Sequence, residues 1–576
     1  MNVWNSRRTS VASCKGICTS SQPLASAVGV KILNQGGNAA DAAVAMAAAL
    51  NMTEPCSTGI GGDAFMLYYD ASTRKVSCLQ GNGATSSRLS LDYLHALGIG
   101  ATRDGYRPWD PRSGLCVTVP GAALLWDDTI QRFGRLSLSQ VLQPAIELGE
   151  EGFPIHACTA DQWSRGVLQG EEANRVFRPL HGRPPQANEV FTNKDLANTF
   201  RRVGTYGAKQ GFYRGEIAAR IEEAVREFGG VLDLQDLSGH ETADEPPISH
   251  VFRDIRVYQT PPPSHGVAVL LALAMLEKLL TKMGIDKDNC RGRGDEYEAH
   301  LMIECMRLSF ADALEYVSDP RTTTVPTELL LSDAFVSSRV DLISDRAICN
   351  LTCGDLTPFA TSDTVYFCCA DREGNACSFI NSNYMGFGTG IVPKGCGFTL
   401  HNRGYNFNLL PEHVNCVGPS KRPYHTIIPG LSTYEDDQSL HAVFGNMGGF
   451  MQPMGHIQLL RNLIDYHMDP QSSVDAPRWY LKPTGLSQTS GDMRMSSVQL
   501  EYGYGGSQDG GEDCGDDQGQ RVASSLRLRG HEVDELVCGD ARTLYGRAQV
   551  ILRHRPSNVF IAGSDPRADG CAIPQV

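Results

Sequence analysis

Two periods of apolar and polar positions run along the chain. Residues 24–50 are Ala-rich with helical spacing and small faces, including Ala39, Ala40, Ala42 and Ala43, which predicts helices packed close to their neighbours. Gly36-Gly37 interrupts this run and predicts one helix end there and a new start at Asn38. Helical spacing also marks 140–152, 214–228, 264–282 and 294–316. In the last of these, Tyr297, Leu301, Ile303, Met306, Leu308 and Phe310 form an apolar stripe and leave a polar face. Val267 to Leu280 is apolar but too short to span a bilayer, so it reads as a buried helix. The turn Gly59-Ile60-Gly61-Gly62 leads into a strand from Ala64 to Tyr69. It lacks the Lys-Ser/Thr pair of a phosphate loop. Pro261-Pro262-Pro263 is an extended link after the strand Ile255 to Tyr258. From about Thr361 short strands and Gly- and Asn-rich turns take over. Tyr502 to Gly519, rich in Gly and Asp, reads as a flexible surface insertion. Long helices mixed with strands predict helical layers around sheets.

One hairpin stands out. Thr364 to Asp371 is strand-like, Arg372-Glu373-Gly374-Asn375 is a turn, and Ala376 to Ser382 returns. A hairpin symmetric about Glu373 sets Thr364 opposite Ser382, and a bulge would shift the partner to Asn381 or Asn383. Taken alone, this is an ordinary cross-strand Thr–Ser pair.

Composition narrows the function. The 576-residue chain is 41% hydrophobic with a net charge of −14, which disfavours a nucleic-acid partner, whose phosphates require a basic surface. No run of ~20 apolar residues predicts a membrane span, and Met1 to Thr19 lacks the apolar core of a signal peptide. The 18 Cys are scattered. Cys368, Cys369 and Cys377 lie in apolar runs as small hydrophobes, and Cys14 and Cys18 lack a second ligand pair for zinc. A reduced, cytoplasmic protein is expected. The 15 His show no His-Glu-x-x-His spacing, so neither a metal nor another cofactor is expected.

Several blocks in order resemble the γ-glutamyltranspeptidase family. Ser362-Asp363-Thr364-Val-Tyr-Phe and Glu373-Gly374-Asn375-Ala376 are similar to its nucleophile strand and turn. Phe387-Gly388-Thr389-Gly390, Asn402-Arg403-Gly404, Gly445-Asn446-Met447-Gly448-Gly449, Val474 to Arg478 and Gly563 to Arg567 are similar to later blocks. Gly36 to Ala42, Gly59 to Gly62, Val119-Pro120-Gly121 and Pro261 to Ser264 match in the first half. The resemblance runs from about Thr19 to Ala572 and is closest to the signal-less, glutathione hydrolase-like branch. It implies an α+β, four-layer αββα N-terminal nucleophile hydrolase fold. It also implies a precursor cut between Asp363 and Thr364, into a large chain 1–363 and a small chain 364–576 that stay together as a heterodimer.

That chemistry needs these residue types. A Thr hydroxyl is a weak nucleophile until a base takes its proton, and a chain-terminal α-amine is such a base. Thr364 gains that amine only by cleavage. Gly448 and Gly449 are the expected donors to the oxyanion, because glycines expose successive N–H groups without obstruction. Ser382 stands where the family has a second Thr and is expected to hold or activate Thr364 Oγ.

The amino-acid grip of the glutathione-processing enzymes is altered. No Arg occurs near Gly81-Asn82-Gly83, the Ser pair is replaced by His425-Thr426, and the acidic or amide pair by Arg403 and Asn406. Arg403, Asn406, His425 and Thr426 are therefore the candidate substrate-binding residues. Arg403 suits a carboxylate but cannot accept from an ammonium, so a donor lacking the α-amine is expected to suffer less than a γ-glutamyl one. The expected function is hydrolysis or acyl transfer on a small γ-glutamyl or glutaryl-type amide. The alternative is an unprocessed pseudoenzyme acting as a binding or scaffold protein.

Overall fold

Asn38 starts a helix because its side chain accepts from the backbone N–H groups of Ala40 and Asp41, while Asp41 accepts from the Asn38 N–H in return. The computed structural model describes residues 8–102, 105–107, 109–179, 182–349, 351, 363–483, 496–505, 514–534 and 536–576. In it α1 spans Pro23–Asn34 and α2 spans Ala39–Thr53, meeting at the break expected from Gly36-Gly37. Every residue of α2 is buried, and its small side chains let the helix lie close to the sheet below it. The remaining helices of the layers are α3 (Ala122–Phe133), α4 (Leu138–Glu151), α5 (Gly215–Glu227), α6 (Gly266–Lys282), α7 (Glu296–Tyr316), α8 (Met451–Ile464) and α9 (Cys514–Leu528).

Fourteen strands build the centre. Seven come from the first half: β1 (Val11–Ser13), β2 (Ile17–Ser20), β3 (Asp63–Asp70), β4 (Lys75–Gly81), β5 (Ala243–Asp244), β6 (Ile248–Phe252) and β7 (Ile255–Gln259). The others are β8 (Asp363–Ala370), β9 (Ala376–Tyr384), β10 (Gly430–Tyr434), β11 (Leu440–Asn446), β12 (Ala548–His554), β13 (Val559–Ser564) and β14 (Cys571–Pro574). One sheet has the order β14-β2-β8-β9-β3-β4-β5 and the other β1-β13-β12-β11-β10-β7-β6. The sheets face each other across Phe65, Leu67, Tyr366, Ile380, Leu431, Val443 and Ile551. A larger core joins the first sheet to α1–α5, and another joins the second to α6–α9. The result is the expected four-layer αββα arrangement. No helix among the described residues is long and apolar enough to cross a membrane.

The polar face of α7 is largely packed against neighbouring elements. Glu298, His300, Glu304, Arg307 and Asp312 are buried, because partners neutralise them: Arg461 bonds Glu298, Arg307 bonds Glu304, and Arg339 bonds Asp312. Of the segment 502–519, expected to be a flexible insertion, residues 502–505 and 514–519 are described. Tyr504 is buried, α9 begins at Cys514, and Gln518 Nε2 donates to the Gly294 carbonyl at 2.9 Å. The Val522 and Leu526 side chains of α9 join the core and offset its polar start. Residues 506–513 lie outside the described residues.

Candidate active site

The hairpin β8–β9 keeps the symmetric register over most of its length, with Val365 opposite Asn381 and Tyr366 opposite Ile380. Between Asp363 and Val365 the register shifts by one, so that Asp363 pairs with Tyr384. Thr364 Oγ1 lies 2.9 Å from Ser382 Oγ, and both residues are fully buried. Asn381 is engaged elsewhere, by Trp126 Nε1 at 3.0 Å and by the Gly59 carbonyl. Asn383 points its amide toward Pro55 and Thr399. Of the three partners left open by the sequence, Ser382 is the one Thr364 meets.

On the far side of β9, Ser382 lies directly opposite Asp63 of β3. This close strand pairing depends on the preceding turn, since a β-carbon at Gly62 would collide with the Ser382 carbonyl. Asp63 is fully buried. Its Oδ2 accepts from His425 Nε2 at 2.9 Å with His401 Nδ1 at 3.4 Å, and Oδ1 accepts from the Gly121 N–H at 3.2 Å. Burial alone would raise this carboxyl, but the two imidazoles outweigh it and hold Asp63 well below the usual carboxylate range. Burial pushes His425 down to about 3, so its ring is neutral. Its Nδ1 accepts from the Ile427 N–H at 3.3 Å, which together with the bond to Asp63 fixes the tautomer.

Arg403 crosses this cluster. Nη1 donates to Thr426 Oγ1 at 2.9 Å, Nη2 lies 3.5 Å from Ser382 Oγ, and Nε is 3.9 Å from Asp63 Oδ2. The guanidinium sits over the Tyr384 ring at 4.3 Å. Burial lowers its pKa to about 10, so it stays charged at neutral pH. Asn406 is held between Tyr384 OH, which donates to it at 3.0 Å, and the Tyr424 carbonyl. Of the four candidate substrate residues, Arg403 reaches the hydroxyl pair, through Ser382. His425 and Thr426, however, are directed at Asp63 and Arg403, and Asn406 at two tyrosines. Sequence reading missed Asp63, His401 and Tyr384. A carboxylate at the head of the apolar run Asp63-Ala-Phe-Met-Leu was the available signal, since a buried acid demands partners.

The glycine pair follows β11. Gly448 and Gly449 have φ of +125° and +58°, which suits residues without a side chain, and their carbonyls accept from the first N–H groups of α8. β11 stacks over β8, because the Tyr366 ring occupies the space where Gly445 would carry a β-carbon. The later sequence blocks anchor this segment. Arg478 donates to Asn446 Oδ1 at 3.1 Å and to Asp565 at 2.7 Å, and Arg567 bonds Asp565 and Glu501.

Known proteins resemble this chain over nearly its whole length. The gamma-glutamyltranspeptidase family model matches residues 25–575. The glutathione hydrolase-like YwrD proenzyme of Bacillus subtilis (strain 168) is 31% identical over 570 residues, covering 98% of this chain and 99% of that protein. The oxamate amidohydrolase proenzyme of Klebsiella pneumoniae subsp. pneumoniae is 28% identical, covering 98% and 99%. The crystal structure of cephalosporin acylase from Bacillus halodurans aligns with a TM-score of 0.86 at 35% identity, covering 100% of this chain and 98% of that one. The chain belongs to the γ-glutamyltranspeptidase family.

Proposed function

We propose that the protein is a self-processing amidohydrolase or acyltransferase that acts on γ-glutamyl or glutaryl-type amides through an acyl ester on Thr364. The observation that carries this reading is the 2.9 Å contact of Thr364 Oγ1 with Ser382 Oγ beside the irregular step at Asp363. In the precursor, Thr364 Oγ attacks the Asp363 carbonyl carbon and the C–N bond breaks. The nitrogen takes the hydroxyl proton and becomes the α-amine of Thr364. Water then hydrolyses the resulting ester and leaves a 213-residue small chain.

In the mature enzyme that amine, with a pKa of roughly 7.7–8.0 in model peptides, takes the Oγ proton as Oγ attacks the substrate amide. The N–H groups at Gly448 and Gly449 stabilise the oxyanion. Collapse expels the amine, which leaves with the proton, and water or an amine acceptor releases the acyl group. Arg403 is the group suited to a carboxylate at the far end of the donor. Cysteines packed as small apolar side chains, such as Cys18, Cys369 and Cys377, suit a reducing, cytoplasmic setting.

A denaturing gel with N-terminal sequencing tests this reading. By share of the 62.6 kDa chain, fragments of roughly 39 and 23 kDa are expected, the smaller beginning Thr-Val-Tyr-Phe, and Thr364→Ala should remain one inactive chain. A start elsewhere, or full activity in an uncut chain, defeats the mechanism. A single inert chain would favour the pseudoenzyme reading.

A further inference from the structure

We propose that one halide ion, chloride in ordinary salt, binds between Arg293 and Arg461, in a crevice where the start of α7 meets α8. The site does not depend on the reaction proposed above. Arg293 precedes residue 363 and Arg461 follows it, so the ion binds segments from both sides of the expected cut.

Three observations support the site. Arg461, on α8, is 1% exposed and lines the crevice. Two of its nitrogens engage carboxylates, Nε donating to Asp465 at 2.7 Å and Nη2 to Glu298 at 2.8 Å. Nη1 has no hydrogen-bond partner among the described residues. A buried N–H left unpaired keeps the cost of leaving water, so such a group calls for an acceptor.

Second, Arg293 brings a positive charge with no counter-charge. Among the described residues it makes no ion pair. Its Nη2 donates to the Pro477 carbonyl, and the guanidinium lies 5.7 Å from the centre of the Tyr504 ring. Burial acts to lower the pKa of both guanidiniums. At Arg461 the Tyr466, Asp465 and Glu298 groups outweigh it and raise the pKa, whereas at Arg293 burial prevails. The nearby carboxylates are already engaged, since Glu298 also accepts from Tyr466 OH at 3.2 Å and Asp465 from Arg253 at 3.1 Å. An anion supplies the missing charge.

Third, the crevice selects by size and by hydrogen-bond sense. It has room for about one body the size of a water molecule, which excludes tetrahedral oxyanions such as phosphate. Ala299 and Met302 form an apolar wall, and Gln458 is bonded through both side-chain polar atoms to the backbone of Met454 and Trp479. Guanidinium N–H groups only donate. A halide only accepts and carries the compensating charge, which a water does not.

Crystals of the whole protein, cut or uncut, grown with bromide in place of chloride test this by anomalous diffraction at the bromine edge. A bromine peak is expected beside Arg461 Nη1. It should vanish in Arg293→Gln, which removes the charge without breaking an ion pair. Wild-type density there without anomalous signal, as a water gives, would overturn the proposal. A peak of undiminished height in Arg293→Gln would overturn it too, because the second guanidinium would then play no part. In solution, chloride at about ten times its Kd should raise the wild-type Tm by about 1–2 °C over an equal concentration of gluconate. That increment should be lost in Arg293→Gln. Equal increments in both proteins would place the salt effect elsewhere, and the proposal would fail.

Discussion

Ser382 Oγ receives the Tyr384 N–H at 2.9 Å as well as meeting Thr364 Oγ1, so its lone pairs are oriented by the backbone of its own strand. A hydroxyl held this way fixes the rotamer of its neighbour. Ser382→Ala should slow both self-cleavage and turnover, by about 10- to 100-fold, at or below the range of a lost proton-transfer partner. Ser382→Thr should stay within about threefold, because it restores the hydroxyl. Single-turnover rates on processed protein are the measure, and an unchanged Ser382→Ala rate would remove Ser382 from the chemistry. Thr364 and Ser382 were legible in the sequence because one hairpin joins them and its turn fixes their register. Asp63 was not, since it meets His425 across 362 positions of chain and no local pattern links the two. Arg403 was legible as a charge in a loop, but not as a neighbour of Asp63.

Among elements, the junction of β11 with α8 concentrates unusual backbone. A side chain at Gly449, with φ of +58°, costs about 1–2 kcal/mol in the left-handed region. Gly449→Ala should therefore shift the local N–H groups and lower kcat by about 10- to 100-fold, below the full loss of an oxyanion donor, while KM changes little. A KM effect with unchanged kcat would place this segment in binding instead. Local signals served well where the backbone itself decides: the α1–α2 break follows from Gly36-Gly37 and the Asn38 cap, and the hairpin turn from Gly374. They were silent where tertiary partners decide. The polar face of α7 could be read from its stripe, but not the Arg461 and Arg339 side chains that neutralise it. The Gly- and Asp-rich stretch before α9 hid the start of a helix whose burial depends on Val522 and Leu526 further on.

In the whole molecule, segments on either side of residue 363 interleave in both sheets. β2 lies between β14 and β8, and β9 pairs with β3, so neither part completes a sheet alone. The cleaved chains should elute together and unfold in one transition. That transition should weaken in acid. Burial holds His240, His265, His425, His456 and His531 near 3 and His441 near 4. Below about pH 6.5 an unfolded imidazole binds a proton that the folded one refuses, so the unfolded state carries more protons and stability falls with falling pH. The slope is about 1.4 kcal/mol per pH unit for each fully contributing ring. Urea midpoints at pH 7.5 and 5.5 should fall accordingly. Equal midpoints, or separate transitions for the two chains, would contradict this account.

The irregular step at the start of β8 bears on what cleavage leaves behind. Regular pairing runs from Val365 to Ala370 against β9, and Cys368 to Ala370 also pair with β2. A cut between 363 and 364 falls outside that zone and gives up only the lone pairing of Asp363 with Tyr384. The hairpin then has no reason to unzip. The new terminus gains the slack of the single bulged residue, enough to swing an amine toward its own hydroxyl, while the strand that carries it stays locked in mid-sheet.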